Sequence, residues 1–185
     1  VIPRDAEDVR RAVSIAARHR VPLLPRGSGT SLAGQTVGAA LVLDFTKHLN
    51  RILELNAEER WVRVQPGVVL DELNAYLKPH GLMFAPDVAT SNRASIGGMM
   101  GNNSCGAHSI LYGRTVDHVL EQQVVLADGS TAHFAEVSPE EWRAREAGDT
   151  LESRIYREVR RICEEQAEEV EARFPRIMRR VGGYN

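Results

Sequence analysis

The sequence predicts an α+β fold made of two α/β lobes, a small parallel-sheet lobe followed by a mostly antiparallel one. A helical pattern, an apolar strand, a glycine loop and a second apolar strand follow one another within residues 1–50. Two hairpin patterns occur later, at residues 52–64 and 119–134. Alternating helix and strand is typical of parallel pairing, and hairpins are antiparallel. We therefore expect a first lobe over residues 1–50 and a second over residues 51–185.

Composition indicates a globular protein with no electrostatic preference for nucleic acid. Of the 185 residues, 43% are hydrophobic and 26% are charged, and the net charge is −2. Such a chain can bury a sizeable core, and without a basic excess it gives no reason to expect nucleic acid as a partner. No apolar run reaches the roughly 18 residues of a transmembrane helix. The first residue is Val1 rather than methionine, so we expect the sequence to belong to a longer chain.

The two cysteines bear on the cellular compartment. Cys105 and Cys163 form no CxxC pair and no metal-ligand spacing, which fits a reducing environment. We therefore expect no metal site and a cytoplasmic location. Attachment to a membrane surface would have to be made by segments outside this sequence. Cys163 falls on the apolar side of the last predicted helix, and we expect it to pack in the core.

The first lobe begins with an amphipathic helix. Asp5 is placed to cap it, and apolar residues recur at helical spacing up to Arg20, where basic residues suit the C-terminal end. Pro22 ends this helix. The apolar runs at residues 23–24 and 41–43 are short, and we expect them to be buried, neighbouring strands.

The second lobe opens with a predicted hairpin whose strands cover residues 52–55 and 61–64. Apolar residues on one face then predict a helix over residues 69–81, which ends in glycine. A second hairpin turns at the Asp-Gly pair of residues 128–129. A long charged helix is expected over residues 150–174. Its charged side chains form either a solvated face or a docking face for a further domain.

A glycine loop follows the first strand, in the sequence PLLPRGSGTSLAGQ over residues 22–35. Gly27 and Gly29 allow successive backbone N–H groups to face one point, and hydroxyl side chains add donors, as in sites that bind phosphate oxygens. The loop lacks the lysine of a P-loop, and Leu32 stands where the dinucleotide fingerprint has its third glycine. From the loop alone, an ordinary tight turn remains the alternative.

A second glycine-rich window covers residues 85–115, where regular periodicity fades. More than half of the 15 glycines lie in these two windows, so we expect sharp turns or close approach there. Ser95 is placed to cap a short helix, and glycines at residues 97–98 leave room for a planar ligand or another backbone. The polar side chains at residues 102–104 both donate and accept, which suits a ring with carbonyls and ring nitrogens. A glycine-rich packing corner is the alternative.

Three side chains near these windows have two interpretations each. Arg26 is placed either to bind a phosphate or to anchor the loop through Asp44 or Asp87. His108 and His118 flank the second window, and we favour a surface or packing role over a catalytic one.

Together the two windows resemble a known flavoprotein domain. The segments PRGSGTSLAGQ and PDVATSNRASIGGMMGNNSCGAHSILYGRTVDHVLEQQVVLADGS are similar, in this order, to the FAD-binding domain of the vanillyl-alcohol oxidase/p-cresol methylhydroxylase type. They look most like the FAD-linked oxidases and dehydrogenases of the glycolate oxidase D-subunit and D-lactate dehydrogenase kind. The resemblance covers nearly the whole chain and implies two α/β lobes with FAD bound between them.

The resemblance implies cofactor contacts in both windows. The first loop would hold the FAD pyrophosphate, and the second window would enclose the ribityl chain and the flavin ring. The implied contacts of the first loop are Arg26, Gly27, Ser28, Gly29, Thr30, Ser31 and Gln35. Those of the second window are Pro86, Ile96, Gly97, Gly98, Asn102, Asn103, Ser104, Gly106 and Ala107, followed by Tyr112, Gly113 and Val119 in the segment that closes over the cofactor.

Two positions bear on how the cofactor is held. Members of the family with covalently attached FAD often have histidine one place after the second glycine of the loop, where this sequence has Thr30. Cys105 lies in the second window, but its surroundings do not match the cysteine attachment site of some relatives. The resemblance therefore implies non-covalent FAD.

The implied activity is oxidation of a 2-hydroxy acid of the D-lactate or glycolate kind, with flavin N5 as the hydride acceptor. In this family a cap domain binds the small-molecule substrate, and some members carry an iron–sulfur domain. Neither lies within this sequence, so we expect both only in other parts of the protein, and no catalytic residue is assigned. Two alternatives are kept. One is a flavin-binding or electron-relay module without activity of its own, and the other is a different reaction on the same fold, such as reduction of an enol-pyruvyl sugar nucleotide.

Overall fold

The computed structural model describes residues 1–177, which divide into two compact units. Within the described chain the first unit covers residues 1–119, and the second begins at Leu120. Helices and short strands alternate in both units, so the predicted α+β class is confirmed. The expected division between lobes at residue 50 stays a prediction.

Helix α1 (Ala6–His19) opens the first unit as predicted. The Asp5 carboxylate accepts a hydrogen bond of 2.9 Å from the backbone N–H of Asp8, which caps the first turn. Arg20 ends the helix in the left-handed conformation, at φ 53°. The face of the helix turned to the core is made of small and β-branched residues, namely Val9, Ala12, Val13 and Ala16.

Strands β1 (Leu23–Arg26) and β2 (Leu41–Asp44) form the predicted parallel pair. Their register places Arg26 opposite Asp44 at the carboxyl ends of the strands. The connection of residues 27–40 has no helix or strand of its own, so the glycine loop emerges directly from the end of β1. Unstructured connections of this length are uncommon in compact domains and are often functional.

The predicted first hairpin is present as β3 (Ile52–Asn56) and β4 (Trp61–Val64), which pair antiparallel. Helix α2 (Leu70–Leu77) follows and tightens into a 3-10 turn (Lys78–His80). Gly81 closes it with φ 69°, the left-handed conformation that glycine adopts without strain.

Helices α3 (Ile96–Asn102) and α4 (Ser109–Tyr112) lie in the second glycine-rich window, followed by a 3-10 turn (Thr115–His118). Backbone hydrogen bonds place the start of α3. The N–H of Ile96 donates to the carbonyl of Val68 at 2.8 Å, and the N–H of Leu70 donates to the carbonyl of Ala94 at 3.0 Å. The segment before α3 therefore runs alongside the segment before α2.

The main core of the first unit lies where α2 and α3 meet the β3–β4 hairpin. Leu70 and Leu73 are 2% and 1% exposed, so they are fully packed and their truncation would leave cavities. The buried members of this core are Val68, Leu70, Leu73, Leu77, Ala94, Ile96 and Met99. Because Ile96 and Met99 belong to it, α3 is anchored by its apolar face while its glycines remain at the surface of the core.

Up to residue 177, the second unit consists of the predicted hairpin, β5 (Glu121–Val125) and β6 (Thr131–Ala135), and three helices. These are α5 (Pro139–Glu146), α6 (Leu151–Glu165) and α7 (Ala167–Arg173). Glu146 is buried, and its carboxylate accepts from Trp142 Nε1 at 2.7 Å and pairs with Arg160 at 2.9 Å. These partners offset the cost of burying the charge and join α5 to α6.

Two expectations about the second unit were wrong, and one helix was not foreseen. The single helix over residues 150–174 is broken at Gln166, whose φ of −106° and ψ of 7° leave the helical region. Glutamates four positions apart on either side of the break, at 164 and 168 and at 165 and 169, repel each other and disfavour a continuous helix. Cys163 is exposed rather than packed in the core. Helix α5 was not predicted at all.

None of the helices in residues 1–177 combines the length and the apolar character needed to cross a membrane. The docking-face interpretation of the last charged helix stays a prediction.

Candidate functional site

The first glycine loop lies against the residue that precedes α3. A Cβ atom at Gly27 would overlap Oγ of Ser95 and lie 3.2 Å from Ser95 Cβ. Ser95 is 3% exposed, so its side chain has little space in which to move away. A Cβ at Gly98 would also lie 3.1 Å from Ser95 Oγ. The two windows, distant in the sequence, therefore meet at Ser95.

The loop presents hydrogen-bond donors without protein partners. Across residues 1–177, no group accepts a hydrogen bond from the backbone N–H groups of residues 27–31. The hydroxyls of Ser28, Thr30 and Ser31 have no partner within the same described residues. Gly29 adopts φ 76°, the left-handed conformation that is typical of anion-binding turns. Such a set of donors suits the oxygens of an anionic group.

Arg26 brings positive charge to this loop. Its guanidinium reaches Gly29, where an added Cβ would lie 2.8 Å from Nη2 and 3.1 Å from Nε. Neither of the two expected carboxylate anchors binds it, because no hydrogen bond or ion pair joins Arg26 to Asp44 or Asp87 in the described chain. The described contacts therefore do not support anchoring of the loop through Asp44 or Asp87, and phosphate binding by Arg26 stays a prediction.

Asp44 is bound by its own neighbour instead. Its carboxylate accepts from the backbone N–H and the hydroxyl of Thr46, at 2.9 and 2.7 Å. These two hydrogen bonds, helped by the positive charge of Arg26, hold the pKa of Asp44 below its ordinary value. Asp44 thus stabilises the turn after β2 and stays ionised at neutral pH.

Gln35, at the end of the loop, contains a buried acceptor with no partner. Its Oε1 is the one buried side-chain polar atom of the described residues that makes no hydrogen bond. Gly34 precedes it with φ 83°, and the N–H of Val37 donates to the carbonyl of Gly34 at 3.2 Å. The turn thus holds Gln35 in place, and the free acceptor indicates a missing donor.

Two of the glycines expected at a ligand pack against protein. A Cβ at Gly97 would lie 2.6 Å from Cβ and 3.0 Å from Cα of Pro66. A Cβ at Gly106 would overlap the backbone carbonyl of Asp87. At these two positions the absence of a side chain is required by the fold, as the packing-corner alternative anticipated.

The polar residues after α3 also form bonds within the fold. Asn103 is buried in the left-handed conformation, at φ 47°, and its Oδ1 accepts from the N–H of Val116 at 3.0 Å. Asn102 donates from Nδ2 to the Ser104 hydroxyl at 3.1 Å. The Ser104 carbonyl accepts from the fully buried Thr115, from its hydroxyl at 2.7 Å and from its N–H at 3.0 Å. These contacts join α3 to the 3-10 turn that follows α4.

His108 pairs with Asp87, and both residues belong to the second window. Nδ1 of His108 lies 2.7 Å from Asp87 Oδ2, and its N–H donates to Oδ1 at 3.3 Å. Desolvation raises the pKa of Asp87, but the hydrogen bonds and charge of His108 outweigh it, so this pKa lies below its ordinary value. The ring nitrogen Nε2 of His118 lies 2.7 Å from the carbonyl of Tyr112. Both histidines thus hold α4 in place.

The remaining predicted contacts lie around α4. Ala107 is exposed and Tyr112 is partly buried, whereas Pro86 is fully buried. Gly113 has φ 73°, and an added Cβ would lie 2.7 Å from Asp117 Oδ2. Val119 ends the first unit. The structure places these residues in the same unit as the glycine loop, but the direct contact between the windows runs through Ser95.

Ser95 is the site residue that sequence reasoning missed. The sequence predicts a helix cap at this position, yet the Ser95 side chain makes no capping hydrogen bond to α3. Its hydroxyl instead faces the two glycines Gly27 and Gly98. The sequence signal for this role is the position of Ser95, a small hydroxyl residue directly before Ile96 and the glycine pair at residues 97–98.

Within residues 1–177, no three His, Cys, Asp or Glu side chains are grouped as metal ligands. The features of this site are therefore donors without protein partners, one arginine, one buried acceptor and closely packed glycines.

Comparison with known proteins identifies the domain. Residues 1–135 match the model of the family described as the FAD binding domain. The chain belongs to this family. The resemblance stated from the two sequence windows is thereby confirmed, and so is FAD as the cofactor of the domain.

The curated relatives of this FAD-binding domain are much longer proteins. Over its whole length it is 45% identical to a D-2-hydroxyglutarate dehydrogenase of Pseudomonas putida, and the match covers 19% of that protein. Over 70% of its length it is 40% identical to the glycolate oxidase subunit GlcD of Bacillus subtilis, and the match covers 28% of that subunit. The chain thus spans about a fifth of the length of the first of these relatives.

A solved structure shows the same fold. Alkyldihydroxyacetonephosphate synthase superposes on 72% of this FAD-binding domain with a TM-score of 0.65 and 25% identity, over 28% of its own chain.

The site residues fit FAD chemically. Unpaired N–H and hydroxyl donors with one guanidinium match the four charged or polar oxygens of a pyrophosphate. The close contact between Gly27 and Ser95, which leaves no room for a Cβ, holds this donor loop against the start of α3. The free acceptor of Gln35 matches a hydroxyl or N–H donor, and FAD carries several.

Proposed function

We propose that this FAD-binding domain serves an oxidoreductase that oxidises a 2-hydroxy acid. The contact between Gly27 and Ser95 carries the proposal for the site, because it joins the anion-binding loop to the start of α3. The names of the relatives support the substrate class, since they include D-2-hydroxyglutarate dehydrogenase, glycolate oxidase and D-lactate dehydrogenase. All three names refer to 2-hydroxy acids.

In this proposal the first loop holds the pyrophosphate of FAD. The N–H groups of residues 27–31 and three hydroxyls donate to the phosphate oxygens, and Arg26 adds a charge-assisted contact. Thr30 supplies a hydroxyl donor in place of a histidine, so the cofactor is held without a covalent bond. When bound, FAD supplies the hydride acceptor of the reaction.

The second window forms the other part of the proposed site. Ser95 and Gly98 line the contact with the loop, and Gly98 is exposed. The remaining proposed contacts are Pro86, Ile96, Gly97, Asn102, Asn103, Ser104, Gly106, Ala107, Tyr112, Gly113 and Val119. Several of them act through the fold: Gly97 and Gly106 allow close packing, and Asn103 fixes the turn after α4.

The whole protein's activity is proposed from the relatives. We propose that a substrate-binding cap domain outside this sequence contacts the small-molecule substrate, and that any iron–sulfur cluster also lies outside it. Both cysteines, Cys105 and Cys163, are free thiols, which supports the proposed cytoplasmic location.

The experiment uses the protein as its gene encodes it, purified with its bound flavin. Acid precipitation should release FAD into the supernatant, as expected for a non-covalent cofactor. D-2-hydroxyglutarate, D-lactate and glycolate are then added without air, and loss of the oxidised flavin band is followed. Bleaching by at least one of them is expected. A flavin that binds but is reduced by none would favour the electron-relay module or another reaction on the same fold.

A further inference from the structure

The helical arm at residues 154–177, which comprises most of α6, all of α7 and the residues after it, is uncovered along most of its length. Every residue from 158 to 177 is exposed. Helices in proteins are stabilised mainly by packing of one face, so an uncovered helix lacks most of this stabilisation. The arm also lies outside residues 1–135, which match the family model. It is therefore an addition to that segment, with a surface of its own.

One face of the arm is apolar although it is exposed. Val159, Ile162 and Val170 are 43%, 50% and 41% exposed, so each leaves much of its apolar surface in water. Such exposed apolar patches mark interaction surfaces. The positions of this stripe recur every three or four residues, which places them on one side of a helix. They are Ile155, Val159, Ile162, Gln166, Val170, Phe174 and Ile177.

Helix α5 packs against a different side of α6. The ring of the buried Tyr156 meets Trp142 edge-on, with ring centroids 4.8 Å apart. Nε of Arg160 pairs with the Glu146 carboxylate at 2.9 Å. Tyr156 and Arg160 each come one position after a residue of the stripe, which turns them by roughly 100° around the helix. The contacts with α5 therefore leave the apolar stripe open.

Charge is divided along the arm. Residues 154–161 contain four arginines and one glutamate, whereas residues 164–171 contain five glutamates and no basic residue. Ion pairs within the arm, such as that of Arg161 with Glu165 at 2.6 Å, are about half exposed and contribute little. One half of the arm is thus basic and the other half acidic.

The apolar stripe and the divided charge are both self-complementary about the point between residues 162 and 163. In two arms that run antiparallel about a twofold axis at this point, Ile155 of each copy lies level with Val170 of the other, and the two Ile162 side chains lie near the axis. The basic half of each copy lies along the acidic half of the other, as electrostatic complementarity requires. A parallel pair would place the two acidic halves side by side.

We propose that this arm pairs antiparallel with the arm of a second copy of the chain, so that the protein forms a dimer. The same surface patch is used on both copies, as in other twofold interfaces. Pairing covers the apolar stripe and leaves α5 in place. The proposal uses no contact with FAD or with substrate, so it stands or fails independently of the proposed function.

Sedimentation equilibrium of the full-length protein with its flavin, over a wide range of concentrations, tests the dimer. Ile162→Glu brings two carboxylates together at the twofold axis, so the dissociation constant of the dimer should rise about tenfold or more. Ile15→Glu is the matched control, because Ile15 is also helical and is 53% exposed. It should leave the dimer unchanged. High salt should weaken the wild-type dimer, since it screens the attraction between the two halves.

Cross-linking tests the orientation of the two arms. Ile155→Cys and Val170→Cys are made separately in a Cys163→Ser background, mixed, and treated with a short bismaleimide. Peptide mapping by mass spectrometry then identifies the linked positions. An antiparallel pair should give links between positions 155 and 170, each from a different copy.

Three results would overturn the proposal. One is a wild type that stays monomeric at every concentration, as it would if another part of the same chain covered the arm. Another is a dimer that Ile162→Glu leaves as stable as the wild type. The third is linkage of 155 to 155 and of 170 to 170, the pattern of a parallel pair. Far-UV circular dichroism checks that the variants fold, and Val170→Glu carries the comparison if Ile162→Glu does not.

Discussion

Gly27 and Ser95 lie so close that the fold has no space for a methyl group between them. One residue begins the glycine loop after β1, and the other precedes α3. Their contact brings the glycine loop, which we propose to bind the pyrophosphate, to the start of a glycine-rich helix within one unit of the chain. The proposed FAD site depends on this relationship more than on any single hydrogen bond.

Gly27→Ala should therefore disturb both the fold and the site. The added methyl group overlaps Ser95 Oγ, so either the hydroxyl rotates or the loop moves away from α3. We expect a loss of roughly 1–2 kcal/mol in the free energy of unfolding and weaker FAD binding. Denaturant unfolding and calorimetry measure the two effects. Gly38→Ala, where an added Cβ meets nothing within 4 Å, is the matched control.

A double variant isolates the cause. Ser95→Ala removes the overlapping oxygen and leaves a Cβ at 3.2 Å, which a small shift accommodates. In the Gly27→Ala background it should restore much of the lost stability, so the two changes should not be additive. If the two changes in the free energy of unfolding were strictly additive, the methyl group added at Gly27 would not overlap the Ser95 side chain.

Arg26→Gln tests the charge in the loop. The guanidinium reaches Gly29 and has no carboxylate partner among the described residues, so its removal leaves no unpaired anion in the protein. We expect FAD affinity to fall about tenfold and to depend less on salt, because one charge-assisted phosphate contact is lost. Calorimetry at low and high ionic strength measures both. Arg18→Gln, on the exposed side of α1, should change neither.

Asn103 should contribute mainly to stability. Asn103→Gly keeps the left-handed conformation without strain but leaves the N–H of Val116 without its acceptor, at a cost of roughly 1–2 kcal/mol. Asn103→Ala should cost about 1 kcal/mol more, since alanine disfavours φ 47°. Thermal and denaturant unfolding give the values. Equal stability of the glycine and alanine variants would contradict the role of the backbone conformation.

Thr46→Val tests the pKa of Asp44. Hydrogen bonds from Thr46 lower the pKa of Asp44 in the folded state. Their contribution to the free energy of unfolding is therefore present above the pKa of the unfolded state, near 3.8, and is lost as the pH falls through the pKa of the folded state. We expect Thr46→Val to destabilise the protein by roughly 1 kcal/mol at pH 7 and by progressively less below pH 4. Unfolding by urea across this range measures the difference. A difference that is constant with pH would mean that ionised Asp44 is not the acceptor.

Local signals were sufficient for most of the first unit. The Asp5 cap, the apolar runs of β1 and β2 and the closing Gly81 all act over a few residues, and the helix and strands lie where they indicate. Helix α5 has a similar local signal in the sequence. Ser138 and Glu141 form a capping box, with Pro139 at the first helical position.

Features that depend on distant neighbours were not accessible in the same way. Gly97 faces Pro66, and Gly106 faces Asp87, so neither glycine reveals from sequence whether its missing side chain serves packing or a ligand. The exposure of Cys163 likewise depends on what packs against α6. The family resemblance predicts that the two glycine windows form one site, whereas the contact of Ser95 with Gly27 depends on the folded structure.

Hydrogen–deuterium exchange of the full-length protein, with and without FAD, tests the central claim most directly. The N–H groups of residues 27–31 have no acceptor in the described chain, so they should exchange rapidly without ligand. Addition of FAD should slow exchange in peptides that contain residues 27–35 and in those that contain residues 95–98, at the same ligand concentration. Protection of only one of these segments, or of neither, would contradict a single FAD site built where Gly27 meets Ser95.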